Sequence, residues 1–186
     1  MSTAGRGTAP PEAASGAASG ALPGAAPGTA PAASSEAQLA LLLAEREIAR
    51  GLAAFARAMD ERNWAALDDV LTEDATGDLG TGPLAGRAAI VGLMRSFLDA
   101  CGPTQHLLGN LVVEVDGDTA SSRCYVCDMH LGAGDKSHLT LRGLGEYHDR
   151  WRRIGGRWRM VHRAKLNRAA VGTFDVLGPG PEGWRG

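Results

Sequence analysis

The chain has little of what marks several large classes of protein. Only 5% of its 186 residues are aromatic. No stretch approaches the roughly 18–20 consecutive apolar residues of a membrane span, and the first residues lack the basic start and apolar run of a signal peptide. A formal net charge of −2 argues against a basic surface for nucleic acid. We therefore predict a soluble, cytoplasmic protein with neither a membrane nor a nucleic-acid partner.

Its three cysteines cannot all pair with one another. Cys124 and Cys127 are three residues apart in a predicted strand, so their side chains point to opposite faces. No second pair of Cys or His residues completes a zinc site. We expect these thiols and that of Cys101 to be reduced and to lie in the core or in the wall of a pocket.

The composition of the chain changes near residue 35. Residues 1–34 are almost all Ala, Gly, Pro, Ser and Thr, and they lack large apolar side chains to offset the entropy cost of ordering. The run Gly178-Pro179-Gly180-Pro181 excludes a regular helix near the other end. We predict a disordered tail over 1–34, a folded domain over 35–178 and a flexible tail over 179–186.

Three amphipathic segments in the first half of the domain predict helices. Ser34 or Ser35 can cap the first, which extends to Asp60, and Asn63 can cap a brief second one. A turn-rich connection with a short strand near 75–79 leads to a third helix over about 87–100. The apolar positions of the first helix are Leu39, Leu42, Leu43, Ile48, Leu52, Phe55 and Met59.

The second half of the domain predicts an antiparallel meander. Four β-rich segments cover 104–115, 119–131, 137–153 and 157–166, and Asp116-Gly117 is a strong hairpin signal. Helices followed by such a meander predict an α+β fold, in which a cone-shaped, curved antiparallel sheet wraps around three helices and encloses a pocket. In the last strand, alternation predicts one face with Trp158, Met160, His162 and Ala164, and the other with Arg157, Arg159, Arg163 and Lys165.

A carboxylate interrupts the apolar stripe of the first helix at Asp60, where a core residue is expected. Alternation along the strands places His106 and Asn110 on one face of the first strand, and Asp128 and His130 on one face of the next. The hairpin between these strands makes the two pairs neighbours. We hypothesise that Asp60 binds one ring nitrogen of a histidine, which fixes its tautomer and raises its basicity. The alternatives are that Asp60 only ends the helix and bonds the following turn, and that the histidines are structural.

These residues carry a resemblance. The Asp-x-x-x-Trp that begins at Asp60 and the Gln105-His106 pair at the start of a strand resemble the SnoaL-like branch of the nuclear-transport-factor-2-like superfamily, over about 36–166. The chain is most similar to scytalone dehydratase-type proteins. That resemblance implies a catalytic pair of Asp60 and His106 and a second catalytic histidine at His130. Bile-acid dehydratases of the same superfamily add a carboxylate that Asp128 matches.

The chain also departs from the scytalone dehydratase pattern. Met59 and Leu79 stand where those enzymes have tyrosines that polarise the substrate carbonyl through water, so we expect a different substrate. The substrate-binding residues that we predict are Asp128, Asn110, Met59, Leu79 and Phe174. The segment 172–176 resembles the part of those enzymes that closes over the pocket, and we predict that 171–177 crosses its mouth. The alternative is that these residues cover core at the sheet edge.

The resemblance implies a cofactor-independent acid–base enzyme, which we expect to be a dehydratase, cyclase or isomerase of a small, largely apolar metabolite such as a polyketide or terpenoid. A non-catalytic binding or accessory protein of the same fold remains an alternative. An epoxide hydrolase ranks last, since neither Arg123 nor Arg142 can be assigned to the pocket side. The resemblance further implies a homodimer that joins the convex faces of two sheets, where Tyr125 and Leu131 would lie.

Overall fold

A computed structural model describes residues 34–184, so nearly all of the predicted N-terminal tail lies outside the described residues. The helices are α1 (Ser35–Asp60), α2 (Arg87–Leu98) and a 3₁₀ helix between them (Trp64–Asp69). Two further 3₁₀ turns cover Gly134–Lys136 and Phe174–Val176. The strands are β1 (Leu71–Asp78), β2 (Pro83–Ala85), β3 (Thr104–Asp116), β4 (Thr119–Leu131), β5 (Thr140–Ile154) and β6 (Arg157–Gly172).

Helix α1 begins as predicted, because the Ser34 side chain accepts a hydrogen bond from the Ala37 N–H at 3.2 Å. Its second half is buried, but the leucines of its first turns are not. Leu39, Leu42 and Leu43, which are among the apolar positions of the predicted helix, are between 56% and 61% exposed. The reason is the length of the helix. Its 26 residues span about 39 Å, and the first of its side chains to be buried is that of Ala44. No helix among residues 34–184 is long and apolar enough to cross a membrane.

The six strands form one curved sheet in the order β2-β1-β6-β5-β4-β3. The long strands β3 to β6 pair antiparallel, as predicted. Strand β1, however, runs parallel to β6, which corrects the expectation of an entirely antiparallel sheet. The inner face of the sheet packs on α1, and the shared core includes Phe55, Val126, Trp151 and Met160. The architecture is therefore the predicted α+β cone with one parallel pair.

Bulges change which side chains face inward. Strand β6 shifts register against β5 between Met160 and His162. Trp158 and Met160 are buried as predicted, but beyond the shift Arg163 is buried and His162 hydrogen-bonds Thr76 on the outer side. The inward placement predicted for His162 and Ala164, and the outward one for Arg163 and Lys165, are therefore wrong. One extra residue in a strand reverses every face assignment after it.

The inward turn of Arg163 creates a buried ion pair at the centre of the core. Its Nε and one terminal nitrogen each donate to Asp149 at 2.8 Å, and both side chains are at most 1% exposed. The guanidinium lies between two aromatic rings, 4.1 Å from the centroid of Phe55 and 3.9 Å from that of Tyr147. These contacts connect α1 to both central strands.

The variant Arg163→Met should lower the free energy of unfolding by about 3–5 kcal/mol, because it leaves the carboxylate of Asp149 buried without a partner. Urea denaturation followed by circular dichroism measures this. The matched control is Arg157→Met on the same strand, whose exposed pair with Asp69 should contribute less than about 1 kcal/mol. Adding Asp149→Leu to Arg163→Met should restore stability. Equal, small losses for both single variants would contradict a structural role for the buried pair.

Candidate active site

A cavity of about 390 Å³ lies between the helices and the inner face of the sheet. Its helix side is apolar and includes Phe55 and Met59 of α1 and Phe97 of α2. Its sheet side carries the polar residues, among them His106, Asp128, His130, Tyr147 and Lys165. A volume of this size suits a small metabolite with an apolar body and a few polar atoms at one end.

Asp60 and His106 meet at the edge of this cavity. The His106 Nδ1 and an oxygen of Asp60 are 2.6 Å apart, and the other carboxylate oxygen accepts the backbone N–H of His106 at 3.0 Å. The Thr104 hydroxyl donates a third hydrogen bond at 3.1 Å. Burial raises the pKa of Asp60, but the hydrogen bonds and charge of His106 outweigh it and hold that pKa below its usual value. In the neutral ring, the ionised carboxylate favours the tautomer with the proton on Nδ1, in which Nε2 is the acceptor.

Arg62, which the sequence analysis did not single out, positions this pair. It has a left-handed backbone with φ of 56°, directly after the end of α1. Its guanidinium donates to the carbonyl of Leu98 at 2.9 Å, to that of Gly102 at 3.2 Å and to the Thr104 hydroxyl at 2.8 Å. The ends of both helices are thereby joined to the start of β3.

The Asp60 side chain extends to His106 and not to the turn that follows the helix, so the alternative of a simple helix end is wrong.

Asp128 forms an ion pair with Lys165 inside the cavity. The Lys165 Nζ donates to one carboxylate oxygen at 2.5 Å, and the other oxygen has no hydrogen-bond partner within residues 34–184. That second oxygen lies against Gly143, where an added Cβ would approach it to 2.2 Å. Burial raises the pKa of Asp128, but the charge and hydrogen bond of Lys165 lower it further than burial raises it. Asp128 is therefore a carboxylate at neutral pH.

His130 is the second histidine of the cavity. Its ring lies edge-on to that of His106, with 5.7 Å between the centroids. Burial lowers the pKa of His130 to about 4; the charge of Asp128 opposes this shift, and those of His106 and Lys165 add to it. His130 is therefore a neutral hydrogen-bonding group at pH 7 and a weaker base than an ordinary histidine.

Three of these side chains are of the kinds that bind metal ions. His106, Asp128 and His130 each offer one ligand atom, and these atoms lie within 4.8 Å of one another. Two imidazoles and one carboxylate suit iron or zinc. The ammonium of Lys165, however, already neutralises Asp128 and would repel a dication. The donor set fits a metal only if Lys165 moves away, and the prediction of a site without metal or cofactor stays a prediction.

The structure brings together most of the predicted site residues. Met59, Leu79 and Phe174 line the cavity together with His106, Asp128 and His130. Asn110 does not, because it occupies the bulge of β3 with φ of 52° and is exposed. The sequence analysis missed Tyr147 and Lys165. The glycines at 143 and 145, on inward positions of a strand, were the available signal that side chains from neighbouring strands meet across that strand.

The chain after β6 packs along the rim of the cavity. The Gly178 N–H donates to the carbonyl of Phe97 at 2.7 Å. The Trp184 ring is 4.8 Å from that of Phe97 and 6.0 Å from that of Phe174, centroid to centroid. Residues 179–184, predicted as the start of a flexible tail, thus contact α2, while 185–186 lie outside the described residues. That this segment closes the cavity stays a prediction.

The family follows from comparison with known sequences. The sequence model of the SnoaL-like domain matches residues 40–164. The chain belongs to this family. One relative is the uncharacterized protein Rv2910c of Mycobacterium tuberculosis, which is 36% identical over 121 residues that cover 64% of this chain and 82% of that protein.

Solved structures with the same fold carry different names. A protein of Novosphingobium aromaticivorans, provisionally named an aromatic ring hydroxylase, is 30% identical with a TM-score of 0.65, over 72% of this chain and 96% of that one. A type 2 hexachlorocyclohexane dehydrochlorinase is 18% identical with a TM-score of 0.66, over 79% and 99%. A provisionally named scytalone dehydratase of the same Novosphingobium species is 19% identical with a TM-score of 0.64, over 80% and 99%. The last two show the fold alone.

The low pKa of His130 predicts how stability depends on pH. Because the unfolded chain binds this proton more readily, the contribution is complete above pH 6.5 and is lost as the pH falls to about 4. The loss should reach at most about 3 kcal/mol. Denaturant unfolding at pH 7 and pH 4.5 should therefore show a smaller drop for His130→Gln than for the wild type. The exposed His138 provides the control, since His138→Gln should keep the wild-type drop. Identical drops in all three proteins would contradict the buried neutral state.

Proposed function

We propose that this SnoaL-like protein is a cofactor-independent acid–base enzyme, a lyase or isomerase that removes a proton next to a carbonyl in a small, largely apolar metabolite. The observation that supports this most is the 2.6 Å contact between Asp60 and His106 at the edge of an apolar cavity. A carboxylate behind an imidazole is the arrangement of a general base. The dehydrochlorinase and the dehydratase among the structural neighbours are named for eliminations, a type of reaction in which a proton is lost.

In this proposal His106 accepts the substrate proton at Nε2. Asp60 holds the ring through Nδ1–H and stabilises the imidazolium that forms. His130, which is neutral, orients the substrate or the departing group by hydrogen bonding, and Asp128 remains ionised beside Lys165. The apolar helix side excludes water and strengthens these electrostatic contacts. Return of the proton to another atom gives isomerisation, and loss of a leaving group gives dehydration; a polyketide or terpenoid skeleton suits the cavity.

The second candidate is a non-catalytic binding protein of the same fold. The observation in its favour is the apolar part of the cavity lining, to which Met59 of α1 and Leu79 after β1 contribute. An epoxide hydrolase is disfavoured, since Arg123 and Arg142 lie on exposed, outward positions of β4 and β5 and cannot hold a water in the cavity.

Turnover of a panel of hydroxyketones separates the two candidates. His106→Ala and Asp60→Asn should each lower kcat/KM by about 10²–10⁴-fold, the usual contribution of a general base. His138→Ala, an exposed histidine in the turn before β5, serves as the matched control and should keep the wild-type rate. Circular dichroism shows that each variant folds. Wild-type rates in both site variants would exclude the catalytic pair.

We further propose that the protein is a homodimer that buries the outer face of the sheet. Leu107, Tyr125, Leu144 and Leu166 are exposed there on four neighbouring strands. Monomeric proteins rarely expose an apolar patch that is continuous over several strands. An isologous pairing of two such faces would cover all four residues in each copy.

Sedimentation at micromolar concentration should give a dimer for the full chain. Tyr125→Asp combined with Leu144→Asp should give a monomer, because both copies would then bury carboxylates. The control is Leu42→Asp, an apolar residue on α1 that is still more exposed, and this variant should leave the dimer intact. A wild-type monomer would refute the interface, and dissociation only by the Leu42 variant would place it on the helix.

A further inference from the structure

The sheet side of the cavity contains the ion pair of Asp128 and Lys165, which glycines on the strand between them allow to form. Asp128 on β4 and Lys165 on β6 are separated by β5, and they meet because β5 has glycine at both inward positions between them. A Cβ at Gly143 would approach the Asp128 carboxylate to 2.2 Å, and one at Gly145 would approach the Lys165 Cε to 3.4 Å. An alanine at Gly143 would therefore displace this pair.

Stability alone does not explain a pair of this kind. The Lys165 side chain is 16% exposed and that of Asp128 is 4% exposed, so both charges are largely desolvated. Buried ion pairs contribute little net stability, and apolar residues of similar size are often as good or better. An ammonium has three N–H donors, and Asp128 takes one of them within the described part of the chain. Lys165 lines the cavity, so the others are available to a ligand there.

The pair lies close to the proposed base. An oxygen of Asp128 is within 4.8 Å of a ring nitrogen of His106, and the Lys165 ammonium is bound to the same carboxylate. A carbonyl oxygen and the carbon next to it could therefore reach Lys165 and His106 together. The side chains of Met59 and Leu79, which also line the cavity, offer no N–H or O–H to such an oxygen.

We propose that Lys165 is the electrophilic group of the reaction and that the substrate is an enolisable ketone or enone on an apolar skeleton. His106 takes the proton from the carbon beside the carbonyl. The C–H electron pair forms the C=C bond, and the carbonyl π pair moves to the oxygen. Lys165 donates a hydrogen bond to this oxyanion and stays protonated, since Asp128 balances its charge. This assignment rests on the proposed function, because it assumes that His106 is the base.

A planar phenol such as 2-naphthol tests Lys165 without turnover, since its anion resembles an enolate. Its absorbance distinguishes the bound phenol from the phenolate. The wild type and His106→Ala should both bind it as the phenolate, below the pH at which free 2-naphthol ionises. Lys165→Met should bind it at least about ten-fold more weakly and as the neutral phenol. The double variant Lys165→Met, Asp128→Asn should bind 2-naphthol in the same way as Lys165→Met. It is included because the unpaired Asp128 carboxylate of the single variant could prevent folding.

Two further variants test specificity for this ammonium. Arg168→Met removes a cation of the same strand whose guanidinium is paired with Glu146 and lies 5.8 Å from the centroid of the Tyr125 ring on the outer face of the sheet, and this variant should change nothing. Tyr147→Phe removes a further hydrogen-bond donor of the sheet side and should keep phenolate binding. Phenolate binding that persists in both Lys165 variants, or that Tyr147→Phe alone abolishes, would overturn the proposal.

Turnover separates failure of this inference from failure of the proposed function. With an active ketone, Lys165→Met should lower kcat by about 100-fold or more with a smaller change in KM, because the oxyanion exists only along the reaction. Loss of turnover in His106→Ala with a wild-type kcat in Lys165→Met would retain the base and reject the electrophile. Phenolate binding at Lys165 with no turnover of any ketone would retain the oxyanion site and reject the enzyme.

Discussion

The buried contact of Arg163 with Asp149 is the constraint on which the rest of the structure depends. The guanidinium lies between Phe55 of α1 and Tyr147 of β5, so it fixes how the long helix lies on the sheet. Asp60 follows Phe55 by less than two turns of the same helix, and its distance to His106 is set by that placement. The bulge that turns Arg163 inward also turns Lys165 into the cavity. One ion pair thus holds both halves of the proposed site in register.

Local signals in the sequence predicted the elements and a histidine partner for Asp60, whereas the choice of His106 as that partner followed from the resemblance to the family. A serine cap, an Asp-Gly turn and a carboxylate in an apolar stripe act within a few residues, and β4 has the predicted bounds. The sequence could not predict which face each side chain takes beyond a bulge, because alternation with a period of two assumes a strand pairing without an inserted residue. Asn110 was therefore placed in the cavity, and Lys165 outside it. The exposure of the first leucines of α1 has another cause: periodicity identifies the apolar face of a helix but does not tell how far the surface that covers this face extends.

The helix side and the sheet side of the cavity would have different roles in the proposed reaction. The helix side supplies apolar surface, which selects the skeleton of a metabolite and lowers the local dielectric. The polar end of the cavity has two carboxylates with different partners: Asp60, at the end of α1, contacts the imidazole of His106, and Asp128 on the sheet pairs with the ammonium of Lys165. In such surroundings His130 stays neutral. The site therefore holds one group suited to exchange a proton and one suited to hold a fixed positive charge.

This division of the cavity also favours the proposed enzyme over a simple carrier. A carrier of apolar molecules needs shape and hydrophobic surface, and the helix side provides both. It gains nothing from burying Asp128 and Lys165, and it would be as stable, or more so, with apolar residues in their place. Nor does a carrier require glycines on β5 that leave space for the side chains of Asp128 and Lys165 to meet. Features that cost stability and point into a cavity are typical of sites where charge develops during a reaction, and this is the strongest physical argument for catalysis.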